Sequence, residues 1–400
     1  MTHRKPELLI PASSLEVLKT AVIFGADAVY IGGSKYSLRA NATNFTIDEI
    51  KEACSFAHNF GKKVYQTINI VFHNENIDGI YDYLKECVDA GIDAFIVSDP
   101  FIISYIVKNF PNVEVHVSTQ NSTTNIETVN FFKKEGVKRV VPARELSKKE
   151  IKELCDTGVD IEVFIHGAMC TFYSGRCTLS NYVTNRDSNR GGCSQVCRFA
   201  FDLDTDSDTK FTMATKDLNM ARHIKDMIDI GVNSFKVEGR MRSLYYLATV
   251  IGTYREIIDR YYDKTLTEEN MAIFQERLNK VANRETSTHY FVKEADFTDQ
   301  YYTGRGEASN QDYLGQVISY ENGLLEFYER NYFEVGDVVE LFTPEGQHIE
   351  FVVEELFNKD KNVVDVARHP DDIYYLKIDT DISIPEYSML KVVRRKNEIV

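Results

Sequence analysis

The sequence predicts an α/β protein, a (β/α)8 TIM-like barrel followed by a small C-terminal all-β barrel. Three observations point there. Short apolar, β-branched runs alternate with amphipathic helical patterns through the first 260 residues. One helix-exit phrase recurs, at Gly25-Ala-Asp-Ala, Gly91-Ile-Asp-Ala, Gly136-Val-Lys-Arg and Gly231-Val-Asn-Ser. From about Asp312 the pattern changes to alternating strands cut by Glu-Asn-Gly, Val-Gly-Asp and Pro-Glu-Gly turn signals.

Eight strands are expected, at 7–12, 27–33, 63–70, 93–100, 114–120, 139–145, 161–167 and 234–240. Continuous apolar runs of this kind suit a parallel sheet buried on both faces. The segments between them read as helices, several closed by glycine, the usual residue just past a helix C-terminus. Eight such units match a closed barrel better than a doubly wound sheet, although repeat counting does not itself show closure. No Gly-x-Gly-x-x-Gly or Walker A phrase opens a helix after the first strand, which weakens a nucleotide-binding reading. Two further helices end the barrel, the second spanning 267–283. The expected domains are a barrel over 1–283 with a Cys-rich insertion at 166–198, a linker at 284–311, and a β domain of five or six strands at 312–400.

Composition narrows the class. The 43% hydrophobic fraction supports a sizeable core, and the net charge of −15 argues against a broadly basic nucleic-acid coat while leaving a local basic groove open. The basic run Lys391–Lys396 reads as a solvated tail. No apolar leader and no membrane-length stretch is visible, so a cytoplasmic protein without membrane contact is expected.

Four of the seven cysteines, Cys170, Cys177, Cys193 and Cys197, fall within 28 residues. A reducing compartment disfavours disulfides, which leaves a metal site. The spacing is Cys-x6-Cys-x15-Cys-x3-Cys. A structural zinc site normally shows two tight knuckles and only the second pair here is tight, so a [4Fe–4S] cluster fits at least as well, with zinc as the alternative. Arg176, Arg186, Arg190 and Arg198, interleaved with the thiols, either offset cluster charge or grip an anionic substrate.

In a (β/α)8 barrel the functional groups stand at the C-terminal strand ends. Those ends carry Asn69, Asp99, Ser118-Thr119-Gln120, Arg144-Glu145, His166 and Glu238-Gly239-Arg240. Each alone is explained by a helix cap or a strand-end hydrogen bond; as a set they imply a polar pocket overhung by the Cys segment. His166 and Glu238 are the candidates for proton handling. Asn69, Gln120, Arg144, Arg190 and Arg240 are the candidates for substrate binding, since guanidinium groups bind carboxylate and phosphate bidentately. No Gly-x-Ser-x-Gly elbow or His-Glu-x-x-His phrase is present.

The runs His166-Gly-Ala-Met-Cys, Ser174-Gly-Arg-Cys, Asn189-Arg-Gly-Gly-Cys and Gln195-Val-Cys-Arg resemble the signature of the collagenase-like peptidase family U-32. DAVYIGG with Arg39 and Asn44-Phe45, VHVSTQ, Arg144-Glu145, Lys216-Asp217-Leu218 and KVEGRMRS extend the resemblance along the barrel and, more loosely, into the β domain. Ile10-Pro-Ala-Ser departs from the family's Ser-Pro-Ala-Gly. The resemblance implies an oxygen-independent hydroxylation factor with a [4Fe–4S] cluster on Cys170, Cys177, Cys193 and Cys197. Branches of that family make 5-hydroxyuridine at the tRNA wobble position with prephenate, hydroxylate a cytidine of ribosomal RNA, or act on quinone precursors. The expected function is tRNA hydroxylation, with tRNA and a small carboxylate as partners, and a homo-oligomer or a family-member partner as further options. The rival readings are a peptidase and a non-catalytic cluster-bearing scaffold.

Overall fold

The structure is a computed structural model, and it describes residues 4–38, 44–202, 210–282, 284–302 and 312–396. The chain divides into two compact units, Met1–Arg242 with Thr253–Glu307, and Ser243–Gly252 with Ala308–Val400.

In the first unit all eight expected strands form: β1 Glu7–Pro11, β2 Ala28–Gly32, β3 Lys63–Ile68, β4 Ala94–Val97, β5 Glu114–Val117, β6 Arg139–Val140, β7 Asp160–Gly167 and β8 Ser234–Val237. Successive strands pair in parallel from β1 to β7, and β8 pairs in parallel with both β7 and β1. That double pairing closes the barrel and removes the doubly wound alternative.

Helices α1 Leu15–Ile23, α2 Ile47–Asn59, α3 Ile80–Asp89, α4 Pro100–Asn109, α5 Ile126–Lys134 and α6 Lys148–Cys155 follow the first six strands. Their starts are written locally. Thr46 with Glu49 and Ser147 with Glu150 form reciprocal capping boxes, and Ser14, Asp99 and Asn125 cap the helices they precede. The repeated glycines leave the helices at φ of +102° for Gly25, +103° for Gly91, +90° for Gly136 and +93° for Gly231, a region costly for any residue with a Cβ. The recurring phrase is thus a backbone requirement.

Side-chain alternation divides each strand. Leu8, Ile10, Val29, Val64, Phe95 and Phe235 are fully buried. Leu9, Ala28, Tyr30, Tyr65, Ala94 and Ile96 make a separate buried cluster. With that cluster lies a charged layer. Arg139 pairs with Glu7 at 2.6 Å and Glu162 at 2.9 Å, Lys236 pairs with Glu162 at 2.8 Å, and the Tyr65 hydroxyl donates to Glu7 at 2.7 Å.

After β7 the Cys segment carries a short helix, α7 Leu179–Thr184; α8 Ile224–Asp229 precedes β8, and α9 Leu244–Tyr262 and α10 Glu268–Val281 follow it. A short strand, Asp217–Asn219, runs antiparallel to the end of β7 and pairs on its other side with Thr286–Ser287. The sequence reading missed the first and placed the second in a linker. Residues 284–302 belong to the barrel unit, where the buried Arg284 holds Asp217 at 2.9 Å; the rest of the expected linker, 303–311, lies outside the described residues.

The second unit is all-β and antiparallel. Strands β9 Tyr313–Glu321, β10 Leu324–Glu329, β11 Val338–Phe342, β12 His348–Val352, β13 Ile373–Lys377 and β14 Met389–Arg394 run in the order β12-β11-β14-β9-β10-β13, and two two-residue strands complete an eight-stranded sheet. Asn322 and Gly323, both at positive φ, make the β9–β10 turn that the Glu-Asn-Gly signal predicts. Leu314, Leu325, Phe327, Phe333, Leu341 and Leu376 form its core. Among the described residues of the chain, no helix is long and apolar enough to cross a membrane.

Candidate active site at the barrel mouth

A cavity of about 330 Å³ opens at the C-terminal ends of the barrel strands, within the range of small-molecule sites. Its lining combines the strand-end set with the Cys segment. Asn69, Gln120, Arg144, Glu238 and Arg240 line it, together with Cys170, Cys177, Cys193 and Cys197.

The Cys segment is held over the mouth by two anchors. Glu145, just after β6, accepts hydrogen bonds from the Ser174 backbone N–H at 3.0 Å and from its hydroxyl. Gly175, at φ +73°, packs so closely on the loop after β5 that a Cβ there would lie 2.2 Å from the Gln120 carbonyl oxygen. Further along, Asp187 caps Asn189 at 2.9 Å, and Asn189 in turn donates to the Cys177 carbonyl at 2.8 Å.

Cys170 and Cys193 are exposed, while Cys177 and Cys197 are half-buried, and none is in a disulfide. Burial raises the Cys197 thiol, and Cys170, Cys193 and Cys177 raise it further against the opposing pull of Arg198. The other three thiols thus stand close enough to Cys197 to act on it electrostatically. Cys54, Cys87 and Cys155 stand apart, pushed up to about 12 chiefly by burial; thiols of that kind are inert. Among the described residues no group of three or more His, Cys, Asp or Glu side chains stands ready to hold a metal ion. As donors the four cysteines suit a thiolate-ligated group, with cationic Arg144 and Arg198 beside them on the same wall.

Arg144 is fixed by packing over Phe164 at 5.5 Å and by donating to the Ala168 carbonyl at 3.3 Å. Burial works against its charge, yet Cys170, Glu145 and Glu238 outweigh that and raise its pKa. Its buried Nε has no hydrogen-bond partner. Arg240, only 3% exposed, donates to Ser37 at 3.0 Å and to Asn44, and lies against Gly32. It therefore ties the loop after β2 to the end of β8 as well as lining the cavity. Asn69 donates to Ser118 at 3.5 Å and accepts from the Leu38 N–H at 3.3 Å. The Tyr30 hydroxyl donates to Glu238 at 3.4 Å.

Two expected residues are elsewhere. His166 does not line the cavity: its Nδ1 meets the Tyr254 hydroxyl of α9 at 3.1 Å. Alternation would group it with Glu162 and Phe164, but the β7–β8 register shifts between Phe164 and His166 and turns the ring to the other face. Burial, then Arg242, hold its pKa down to about 3, so the ring is neutral. Arg190 is likewise absent from the lining; it pairs with Glu75 and donates to Asn76 at 3.1 Å, bracing the Cys segment against the loop after β3. Arg39 lies outside the described residues.

Sequence reasoning missed Lys236. It is 5% exposed, lines the cavity, and sits 4.5 Å from the Tyr30 ring centre. The available signal was alternation on the last strand, which puts Lys236 and Glu238 on one face. With it, the cavity lining holds four cations (Arg144, Arg198, Lys236 and Arg240) against the single carboxylate of Glu238. In a chain of net charge −15 this is a local site for anions.

The chain is similar to known proteins along most of its length. The model of peptidase family U32 matches residues 13–301, and that of the U32 C-terminal domain matches 309–391. A Bacillus subtilis protein named tRNA hydroxylation protein P1 is 46% identical over 95% of this chain and 93% of its own length. An Escherichia coli 23S rRNA 5-hydroxycytidine synthase is 35% identical over 74% of this chain and 44% of its own. A Porphyromonas gingivalis protein named collagenase is 33% identical over 88% of this chain and 89% of its own.

Proposed function

The chain belongs to peptidase family U32, and from that premise we propose that it is an RNA-modifying enzyme that hydroxylates tRNA, at C5 of the wobble uridine and without molecular oxygen. The observation that carries the reading is the convergence of all four clustered cysteines and four cationic side chains on one cavity at the barrel mouth. It is supported by the 46% identity to a protein named for tRNA hydroxylation.

In this reading Cys170, Cys177, Cys193 and Cys197 hold a [4Fe–4S] cluster, which would supply electron transfer beside the cavity. Arg144, whose own pKa is raised most by Cys170, stands beside that ligand as a fixed positive charge. Lys236 and Arg240, fixed by their own bonds to Glu162 and Ser37, present positive charge for a small carboxylate such as prephenate. Glu238 is the one carboxylate in the lining and the group placed to take a proton there. His166, neutral and turned toward Tyr254, positions the end of β7 and handles no proton.

A peptidase reading has less to stand on. Among the described residues no histidine lines the cavity, and its serine hydroxyls are bonded otherwise, Ser37 to Thr67 and Arg240, Ser118 to Asn69, and Ser188 to the Cys177 carbonyl. Anaerobic purification followed by visible absorbance and metal analysis tests the cluster. Iron near four per chain with a broad absorbance around 400 nm is the expected order of result for such a centre; a colourless protein with stoichiometric zinc overturns it.

A further inference from the structure

The Cys segment displays two exposed tyrosines and two exposed arginines, of which only Tyr173 belongs to the cavity lining. Tyr182, on α7, is 88% exposed, and Tyr173, which lines the cavity, is still 51% exposed. Single exposed rings are common on protein surfaces, but here two of them share one short segment with two exposed arginines, a combination suited to a ligand surface. Arg176 and Arg186 are also exposed and form no ion pair with a described residue.

These groups sit on a braced support. The Ser194 N–H donates to the Ser180 hydroxyl at 3.2 Å, Ser194 bonds Thr184 at 2.9 Å, and the Arg186 N–H donates to the Ser180 carbonyl at 3.3 Å. The Arg176 N–H closes a turn onto the Tyr173 carbonyl at 3.0 Å. Charge adds a second line. Residues 166–198 contain four arginines and one aspartate in a chain of net charge −15. The acidic groups nearby are engaged, Asp187 with Asn189, Glu75 with Arg190 and Glu145 with Ser174.

We propose that this face, from Tyr173 to Arg186, is the RNA-binding rim of the site. Tyr182 stacks on an unpaired base of an RNA loop, Arg176 and Arg186 hold the flanking phosphates, and Tyr173 stacks beside the nucleotide entering the cavity. Single-stranded RNA is recognised through this pairing of aromatic stacking with guanidinium–phosphate bonds. The inference rests on the tRNA reading and adds the surface that serves it.

The test uses the full-length, anaerobically purified protein and a fluorescein-labelled anticodon stem-loop RNA, followed by fluorescence anisotropy over a salt series. Tyr182→Ala should weaken binding roughly 5- to 150-fold. Arg176→Gln with Arg186→Gln should flatten the slope of log K against log salt by about 1.4, at ~0.7 per single-stranded phosphate. Phe131→Ala removes another exposed ring, on α5, and should leave affinity unchanged. Unaltered visible absorbance and melting in each variant show that it has folded. If wild type binds and the Tyr182 and arginine variants bind equally well with the same salt slope, the rim is wrong while the tRNA reading stands. If wild type binds no RNA, both fall.

Discussion

Replacing Lys236 by methionine removes a buried charge while keeping most of its apolar stem, and the structure sets the size of the effect. Glu162 is fully buried and has Lys236 at 2.8 Å and Arg139 at 2.9 Å. Burial alone would raise its pKa; Lys236, then Arg139 and His116, reverse that and hold it down to about 2. That depression corresponds to about 3 kcal/mol at most, in line with the ~3–5 kcal/mol seen when one partner of a buried pair is removed. Arg139 remains but is shared with Glu7, so about 3 kcal/mol is expected, a fall in Tm of roughly 5–10 °C. Because the folded pKa is depressed, the stabilisation is present above the unfolded value near 4.5 and is lost as pH falls through about 2. The gap between wild type and Lys236→Met should be full at neutral pH and close as acid approaches that window. Adding Glu162→Gln to the variant should recover part of the loss, since no unpaired carboxylate is left. A variant melting within about 1 °C of wild type at pH 7, where the shift should be several-fold larger, would refute the paired-charge account.

Other outcomes follow from the same geometry. Gly175→Ala forces a Cβ against the Gln120 carbonyl and strains a φ of +73°, so it should lower bound iron per chain while the barrel still melts cooperatively. His166, held near pKa 3 by burial, refuses a proton that the unfolded chain accepts below about 6.5; stability should therefore drop by roughly 2 kcal/mol between pH 6.5 and 5. His166→Asn should flatten that dependence, as Tm measured against pH reads directly. Arg190→Ala breaks a surface pair with Glu75 and should leave small-carboxylate affinity, measured by calorimetry, unchanged.

The barrel was legible because its information is local. Apolar runs, N-caps and the repeated glycine exits each act over a few residues, and together they located all eight strands. The site was legible in part for the same reason, since strand ends and clustered cysteines can be read without contacts. His166 was misplaced because a register shift on β7, set by pairing with β8, reverses which face its ring takes. Arg190 was misassigned because its partners, Glu75 and Asn76, are more than 100 residues away. Lys236 was overlooked because a charge inside an apolar strand has meaning only once Glu162 is seen beside it. The strand Asp217–Asn219 carries no apolar run and exists through its antiparallel contact with β7.

The most direct measurement of the central claim is mass-spectrometric nucleoside analysis of tRNA from a strain lacking this protein, complemented with wild type or with Cys170→Ser. The account predicts that 5-hydroxyuridine derivatives disappear on deletion, return with the wild-type chain, and stay absent with the cysteine variant. Undiminished 5-hydroxyuridine derivatives in the deletion strain, or full restoration by Cys170→Ser, would contradict it.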